Sequence, residues 1–268
     1  MKIKIILKSF KKLISKLFSI IGFLRYSLYH HFEKSLLRTH ESIITLSKRS
    51  KQNLIRIYEI NGKRIKTIPC GVYLNRFNPQ NYSQKIREKY GNKMLLFSGL
   101  MIKRKNVPVL LKAMRYVIKE LPDVQLILTG KGPLLQSHKN LSKSLNIQNN
   151  TTFLGFVSDK ELAQYYATSD IFVFPSELEG FGQVILESLA SGTPVICSDV
   201  PPMAEIIENA GLTFKLNDPK DLSDKIIQLF KDKNLYNELK KNTLRVAKKY
   251  TWKNIAMEYQ RFIKNVIK

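Results

Sequence analysis

From residue 94 onward the chain alternates short unbroken apolar runs with longer stretches in which apolar side chains return every third or fourth position. The runs are MLLFSG (94–99), VQLILTG (124–130), TTFLG (151–155), IFVFPS (171–176), PVICSD (194–199) and GLTFKL (211–216). A strand that is apolar at nearly every residue is covered on both faces, so these runs predict one parallel sheet. The stretches between them, such as 107–120 and 184–190, carry the helical period and supply the cover. The expected class is α/β, a doubly wound parallel sheet. In such sheets ligands settle beyond the carboxyl ends of the strands, so Gly99, Gly130, Gly155 and the segment after Ser176 are expected to ring a site.

Upstream, ESIITLS (41–47) and RIKTIPC (64–70) read as two strands of another sheet, separated by a helix from Lys48 to Tyr58. Residues 69–79, with Gly71 at a turn, read as a linker between domains. At the far end, 222–230, 235–250 and 252–267 are helical in period, with Trp252 as a packing anchor. In Lys2–Tyr29 apolar residues recur at steps of three and four while Lys4, Lys8, Lys11, Lys12 and Lys16 fill much of the other face. Such a helix either packs on its own protein or lies in a membrane interface. The expected organisation is therefore a basic amphipathic helix (1–29), a partial α/β domain with its linker (30–75), a Rossmann-like ligand-binding domain (76–234) and carboxyl-terminal helices (235–268).

The chain carries a formal charge of +24 over 268 residues. Residues 1–66 hold 16 Lys and Arg against Glu33, Glu41 and Glu59, a net of +13. Nucleic acid, anionic lipid and acidic substrates all attract such a field, and a Lys-rich coding bias also produces it. No recognised nucleic-acid motif accompanies the charge, so nucleic acid is not expected as a partner. The two cysteines lie far apart, which suits a reduced, cytoplasmic chain. No apolar stretch reaches the roughly 18 to 20 residues of a membrane-spanning helix, and no signal-peptide pattern is evident.

The chemistry concentrates in PSELEGFGQVILESLASGTPVICSD, residues 175–199. A strand ends, a glycine-containing loop follows, and a helix begins near Gly182. Amides at Phe181, Gly182 and Gln183 are free to point at a phosphate, and the helix dipole adds partial positive charge there. Gly180 and Gly182 let backbone approach a ligand closely. Glu179 lies in the loop and Glu187 inside the helix, so both can face one ligand. A carboxylate accepts from two adjacent hydroxyls at once, which suits a ribose diol or a pyranose, and each charged hydrogen bond is worth about 1.5 to 3 kcal/mol. The bland alternatives are a helix-entry charge for Glu179 and a solvated helical residue for Glu187.

Here the sequence resembles the retaining GT-B glycosyltransferases of the family 4 type, whose E-x7-E signature matches Glu179 to Glu187 in EGFGQVILE. The resemblance extends through LLFSGLMIKRKNVPVLLKAM (95–114), LILTGKGPL (126–134), FLGFVSDKELAQYYATSDIFVFPS (153–176) and ASGTPVICSDV (190–200). It includes IPCGVYLNRFNP (68–79) as an interdomain linker and covers about residues 30–268. It implies a donor site for a UDP- or GDP-sugar built from Gly99, Lys105, Gly130, Val157, Glu179, Gly180, Phe181, Gly182, Gln183, Val184 and Glu187. Glu187 would hold the ribose, Glu179 would contact the sugar near the reacting carbon, and the backbone around Val157 would meet the base. Lys105 would face the diphosphate, where a fixed cation stabilises the departing charge. Glu179 and Lys105 are thus the catalytic candidates. Neither cofactor nor metal is expected, because no acidic metal-binding pair lies near the loop.

Two departures qualify these expectations. Where the family usually places an arginine five residues before the lysine, this chain has Leu100, and Lys103 or Arg104 would have to bend inward as a replacement. Most of the amino-terminal acceptor domain also has no counterpart, and His30, His31, His40 and His138 fit no motif of it. The expected function is sugar transfer with retention in surface polysaccharide or glycolipid synthesis, by a cytoplasmic protein peripheral to the inner membrane face. The implied partners are the nucleotide-sugar donor, a saccharide or lipid-linked acceptor, an anionic membrane surface and a separate chain supplying the acceptor domain. The rival is a catalytically impaired donor-binding subunit or truncated remnant acting as a scaffold.

Overall fold

The computed structural model of the chain describes residue 28 and residues 31–267. The basic amphipathic helix expected over residues 1–29 lies, but for Leu28, outside the described residues. The described residues form two compact units, one including residues 31–45 and 50–67, the other residues 46–49 and 68–267.

In the smaller unit a helix, α1, covers residues 31–39. Strand β1 (Ile43–Thr45) and strand β2 (Ile65–Thr67) pair in parallel, with Ile43 beside Ile65. A parallel pair needs a crossover, which helix α2 (Lys48–Tyr58) provides. Glu59 accepts from Lys34 and Arg38, each at 2.8 Å. The Arg64 guanidinium donates to the carbonyls of Leu37 and Arg38 at 3.2 Å. The smaller unit thus has two parallel strands and their crossover.

The larger unit is built on six parallel strands, β3 (Met94–Ser98), β4 (Gln125–Thr129), β5 (Thr151–Gly155), β6 (Ile171–Phe174), β7 (Val195–Ser198) and β8 (Gly211–Phe214), in the order β5-β4-β3-β6-β7-β8. Every residue of β3, β6 and β7 is buried, as their unbroken apolar character requires. Helix α3 (Gln84–Tyr90) precedes the sheet, and α4 (Val107–Glu120), α5 (Leu135–Ser144), α6 (Asp159–Thr168), α7 (Gln183–Ala190) and α8 (Met203–Ile207) connect its strands. Three more helices follow: α9 (Pro219–Lys231), α10 (Lys233–Lys249) and α11 (Trp252–Ile267). Helices α4, α5 and α9 pack together in one layer, while α3, α6, α7 and α10 pack in another.

Local signals fix the helix starts. Ser158 caps α6 in a reciprocal box with Glu161, and the Asp218 side chain accepts from the amides of Lys220 and Asp221 at the head of α9. Between them the two layers bury one continuous apolar core, including Phe97, Phe172, Phe174 and Tyr166.

The segment 69–79, expected to be a linker, is part of the larger unit. Val72 and Phe77 are buried, and Val72 bridges in parallel to Thr251. A Cβ on Gly71 would come within 2.6 Å of the Trp252 ring, so the glycine lets the tryptophan seat on the backbone. That contact is the anchoring role expected of Trp252. Cys70 and Cys197 are both free thiols. Among the described residues, no helix is long and apolar enough to cross a membrane.

Candidate functional site

Strand β3 has β4 on one side and β6 on the other, so the connections run outward in opposite directions from the β3/β6 seam. Loops leaving the carboxyl ends of such a pair diverge and leave a crevice. The loop after β3 carries Lys103, Arg104 and Lys105 on a single turn of 3-10 helix, and the loop after β6 carries Ser176–Gly182.

The first loop closes on Asn106, which takes a left-handed conformation (φ 52°, ψ 35°) and holds Asn217 through a 2.7 Å amide contact. Asparagine tolerates that conformation better than most residues. The turn directs Lys105 inward, where its side chain is only 9% exposed. Its ammonium lies 4.6 Å from the centre of the Phe174 ring and donates to Glu179 Oε1 at 2.6 Å. The same oxygen accepts from Arg104 Nη1 at 2.9 Å and from Ser176 Oγ at 2.6 Å. Backbone contacts tie the loops as well, with the Glu177 amide donating to the Arg104 carbonyl at 2.8 Å.

The electrostatics follow from this cluster. Burial pulls the Lys105 ammonium below the usual lysine value, against the raising influence of Glu179. Burial pushes Glu179 up, but the donors from Lys105, Ser176 and Arg104, with the Lys105 charge, outweigh it and hold the carboxyl below its ordinary value. Glu179 is therefore a carboxylate at neutral pH.

Glu187 is governed differently. It sits on the second turn of α7, and its Oε2 accepts from the Tyr166 hydroxyl at 3.2 Å. Tyr166 is fully buried, packed edge-on against Phe77 and Phe172 at 5.8 and 5.2 Å between ring centres. Burial raises the Glu187 carboxyl to about 7, with the Asp159 charge adding and the Tyr166 hydroxyl and Arg76 opposing. Glu179 and Glu187 are thus held by separate partners rather than by one shared contact.

The glycines divide by cause. Gly182, the residue before α7, has φ 103°, which an L side chain rarely adopts. A Cβ on Gly130 would lie 1.9 Å from the Gly99 carbonyl oxygen, so that glycine answers to a backbone neighbour. Among the described residues, only Gly180 combines an ordinary φ with open space around a Cβ, which leaves room for a ligand. Phe181 is buried, its ring 6.0 Å from that of Tyr250, whereas Gln183 is exposed and Val184 and Val157 are half-buried. No side chain among the described residues caps α7, so its first amides keep their anion-binding capacity.

Leu100 is 56% exposed and carries no charge to the crevice, and of the two cations expected to bend inward Arg104 contacts Glu179. Lys103 remains exposed. Tyr166 and Ser176 were not singled out from the sequence. The signal for Ser176 was its place at the end of an apolar run, and for Tyr166 a polar-tipped residue on the inward period of α6.

The family model for glycosyl transferases group 1 matches residues 79–246. An uncharacterized glycosyltransferase of Methanocaldococcus jannaschii is 30% identical over 237 residues, covering 83% of this chain and 60% of the relative. The O-antigen chain mannosyltransferase B of Escherichia coli is 31% identical over 240 residues, covering 85% of this chain and 62% of the relative. The chain thus spans about three fifths of the length of these curated relatives. Among solved structures, the Anabaena protein HepE in complex with UDP-glucose superposes with a TM-score of 0.76 at 21% identity, over 88% of this chain and 69% of that one, a likeness of fold. With the family match extending over more than half of its residues and the six-stranded sheet in place, the chain belongs to the glycosyl transferases group 1 family, of GT-B architecture.

Proposed function

We propose that the larger unit binds a UDP- or GDP-sugar and serves a glycosyltransferase that passes the sugar to a saccharide or lipid-linked acceptor with retained anomeric configuration. One observation carries this reading: at the β3/β6 seam two cations from the loop after β3 meet a carboxylate from the loop that leads into the uncapped start of α7. In transfer, the bond between the anomeric carbon and the diphosphate oxygen breaks, and its electron pair stays on the nucleoside diphosphate. The acceptor oxygen bonds to the sugar and loses its proton. Lys105 and the α7 amides are preorganised donors for the charge that develops on the leaving group. Glu187, on the second turn of the same helix, suits the ribose diol, and Glu179 suits the sugar. The naming of the Escherichia coli relative as an O-antigen mannosyltransferase supports a setting in surface polysaccharide or glycolipid synthesis.

Calorimetric titration of the full chain with UDP, GDP and their glucose and mannose conjugates tests the reading. Wild type should bind at least one of them, and Glu187→Ala should lose about tenfold or more in affinity, the worth of one charged hydrogen bond. Equal affinity in the two proteins would remove Glu187 from the site.

A second reading is a donor-binding subunit without transfer activity of its own, favoured by the uncharged Leu100. Donor binding without hydrolysis or transfer, until a second chain supplying the acceptor half is added, would select it. Peripheral attachment to an anionic cytoplasmic membrane face is a separate proposal, supported by the excess of +13 in residues 1–66. Deleting residues 1–20 should abolish co-sedimentation with anionic liposomes.

A further inference from the structure

A single carboxylate oxygen, Glu179 Oε1, receives three donors, from Lys105, Arg104 and Ser176. The cluster holds two cations against one anion, so it carries an uncompensated positive charge. Lys105 cannot turn to water, because its side chain is buried against Phe174. Arg104 can, since its side chain is 44% exposed, yet it reaches inward.

Arg104 has two roles that separate cleanly. Its backbone carbonyl accepts from the Glu177 amide at 2.8 Å, a service that any residue would give the loop. Its guanidinium adds a 3.0 Å contact to the Leu178 carbonyl and the 2.9 Å contact to Glu179. Stitching the loop therefore leans mostly on the backbone, and what the guanidinium contributes specifically is charge and a planar fork of donors. That fork matches phosphate oxygens better than it matches one carboxylate oxygen.

We propose that Arg104 is a second diphosphate-binding cation, and that in the unliganded chain Glu179 occupies the place of the diphosphate on Arg104 and Lys105. A nucleoside diphosphate brings more charge and more acceptor oxygens than a carboxylate. It takes over both cations, and Glu179, released from them, turns its carboxylate toward the sugar. The carboxylate is thereby kept paired while the crevice is empty and freed only when a donor is present. This inference rests on the donor-site reading above and assigns that site a residue and an order of events.

The test is calorimetric titration of UDP and GDP, with uridine and guanosine as controls, against wild type, Arg104→Gln, Arg104→Lys and Glu179→Gln. Arg104→Gln should weaken the diphosphate that wild type binds by about 10- to 100-fold, while nucleoside affinity stays within about twofold. Arg104→Lys should recover part of the loss. Glu179→Gln should bind the same diphosphate about 3- to 10-fold more tightly, because the competing anion is gone. A loop held merely by structure would instead be loosened by Glu179→Gln and bind more weakly. Undiminished diphosphate binding by Arg104→Gln, or weakened binding by Glu179→Gln, would overturn the inference and leave the donor site standing. Failure of wild type to bind either diphosphate would overturn the donor-site reading and this inference together.

Discussion

Glu179 and Glu187 flank one helix start, but their surroundings drive them in opposite directions. The loop residue meets two cations and a hydroxyl, which hold it ionised. The helix residue is sunk beside a buried tyrosine with no cation in contact, and burial lifts it to about 7. The difference teaches that a signature of paired carboxylates does not by itself define two equal hydrogen-bond acceptors. One arrives charged and already occupied, whereas the other changes charge near neutrality.

The largest way to sharpen this contrast is through stability. Glu187 has a folded value near 7 against an ordinary 4.5, so the folded chain holds its proton more tightly than the unfolded chain does. The sign follows: folding stability falls as pH rises from about 4.5 to about 7, by at most about 3 kcal/mol from this group, then levels off. Urea denaturation at pH 5 and pH 8 should show that slope in wild type and lose it in Glu187→Gln. For Glu179, whose value is depressed, the contribution runs the other way and is lost as pH falls below the ordinary carboxylate range.

The next effect breaks the other half of the comparison. Lys105→Ala strips the buried cation from Glu179 while Arg104 and Ser176 remain, and should cost about 1 to 3 kcal/mol of stability. The Glu179 carboxyl should move upward in an NMR titration, toward the behaviour of Glu187. A smaller effect is read in binding. Because only ionised Glu187 accepts from both ribose hydroxyls, diphosphate affinity should rise by up to about tenfold between pH 6 and pH 8, and Glu187→Gln should flatten the curve. The smallest comes from Tyr166→Phe. Removing the hydroxyl that donates to the Glu187 carboxylate, a contact worth about 1 kcal/mol, should displace the midpoint of that curve to higher pH without abolishing binding.

The sheet was legible because its strands leave apolar runs bounded by turn residues, unbroken above all in β3, β6 and β7, where every residue is buried. The pairing of Val72 with Thr251 was not, because two single residues at opposite ends of a long stretch leave no periodicity to read. The segment around Gly71, read from the sequence as a linker, is also a seat for Trp252. At the site, the loop and both carboxylates followed from residue type and spacing. The partners of those carboxylates did not, since Arg104 and Tyr166 are brought in by strand order and helix packing between distant segments. The glycines were legible as a group, but only coordinates separate Gly180, with open space around a Cβ, from Gly130, which has a positive φ of 117° and is also pressed against another chain segment.

That last contact, Gly130 against the Gly99 carbonyl, sets a limit on engineering. Neither residue offers a functional group, yet together they fix the spacing between the rims of β3 and β4. A saturation library would show position 130 refusing every replacement while the exposed Leu100 nearby accepts many. Attempts to widen the crevice for a bulkier donor should accordingly begin at Leu100 and leave the glycine alone.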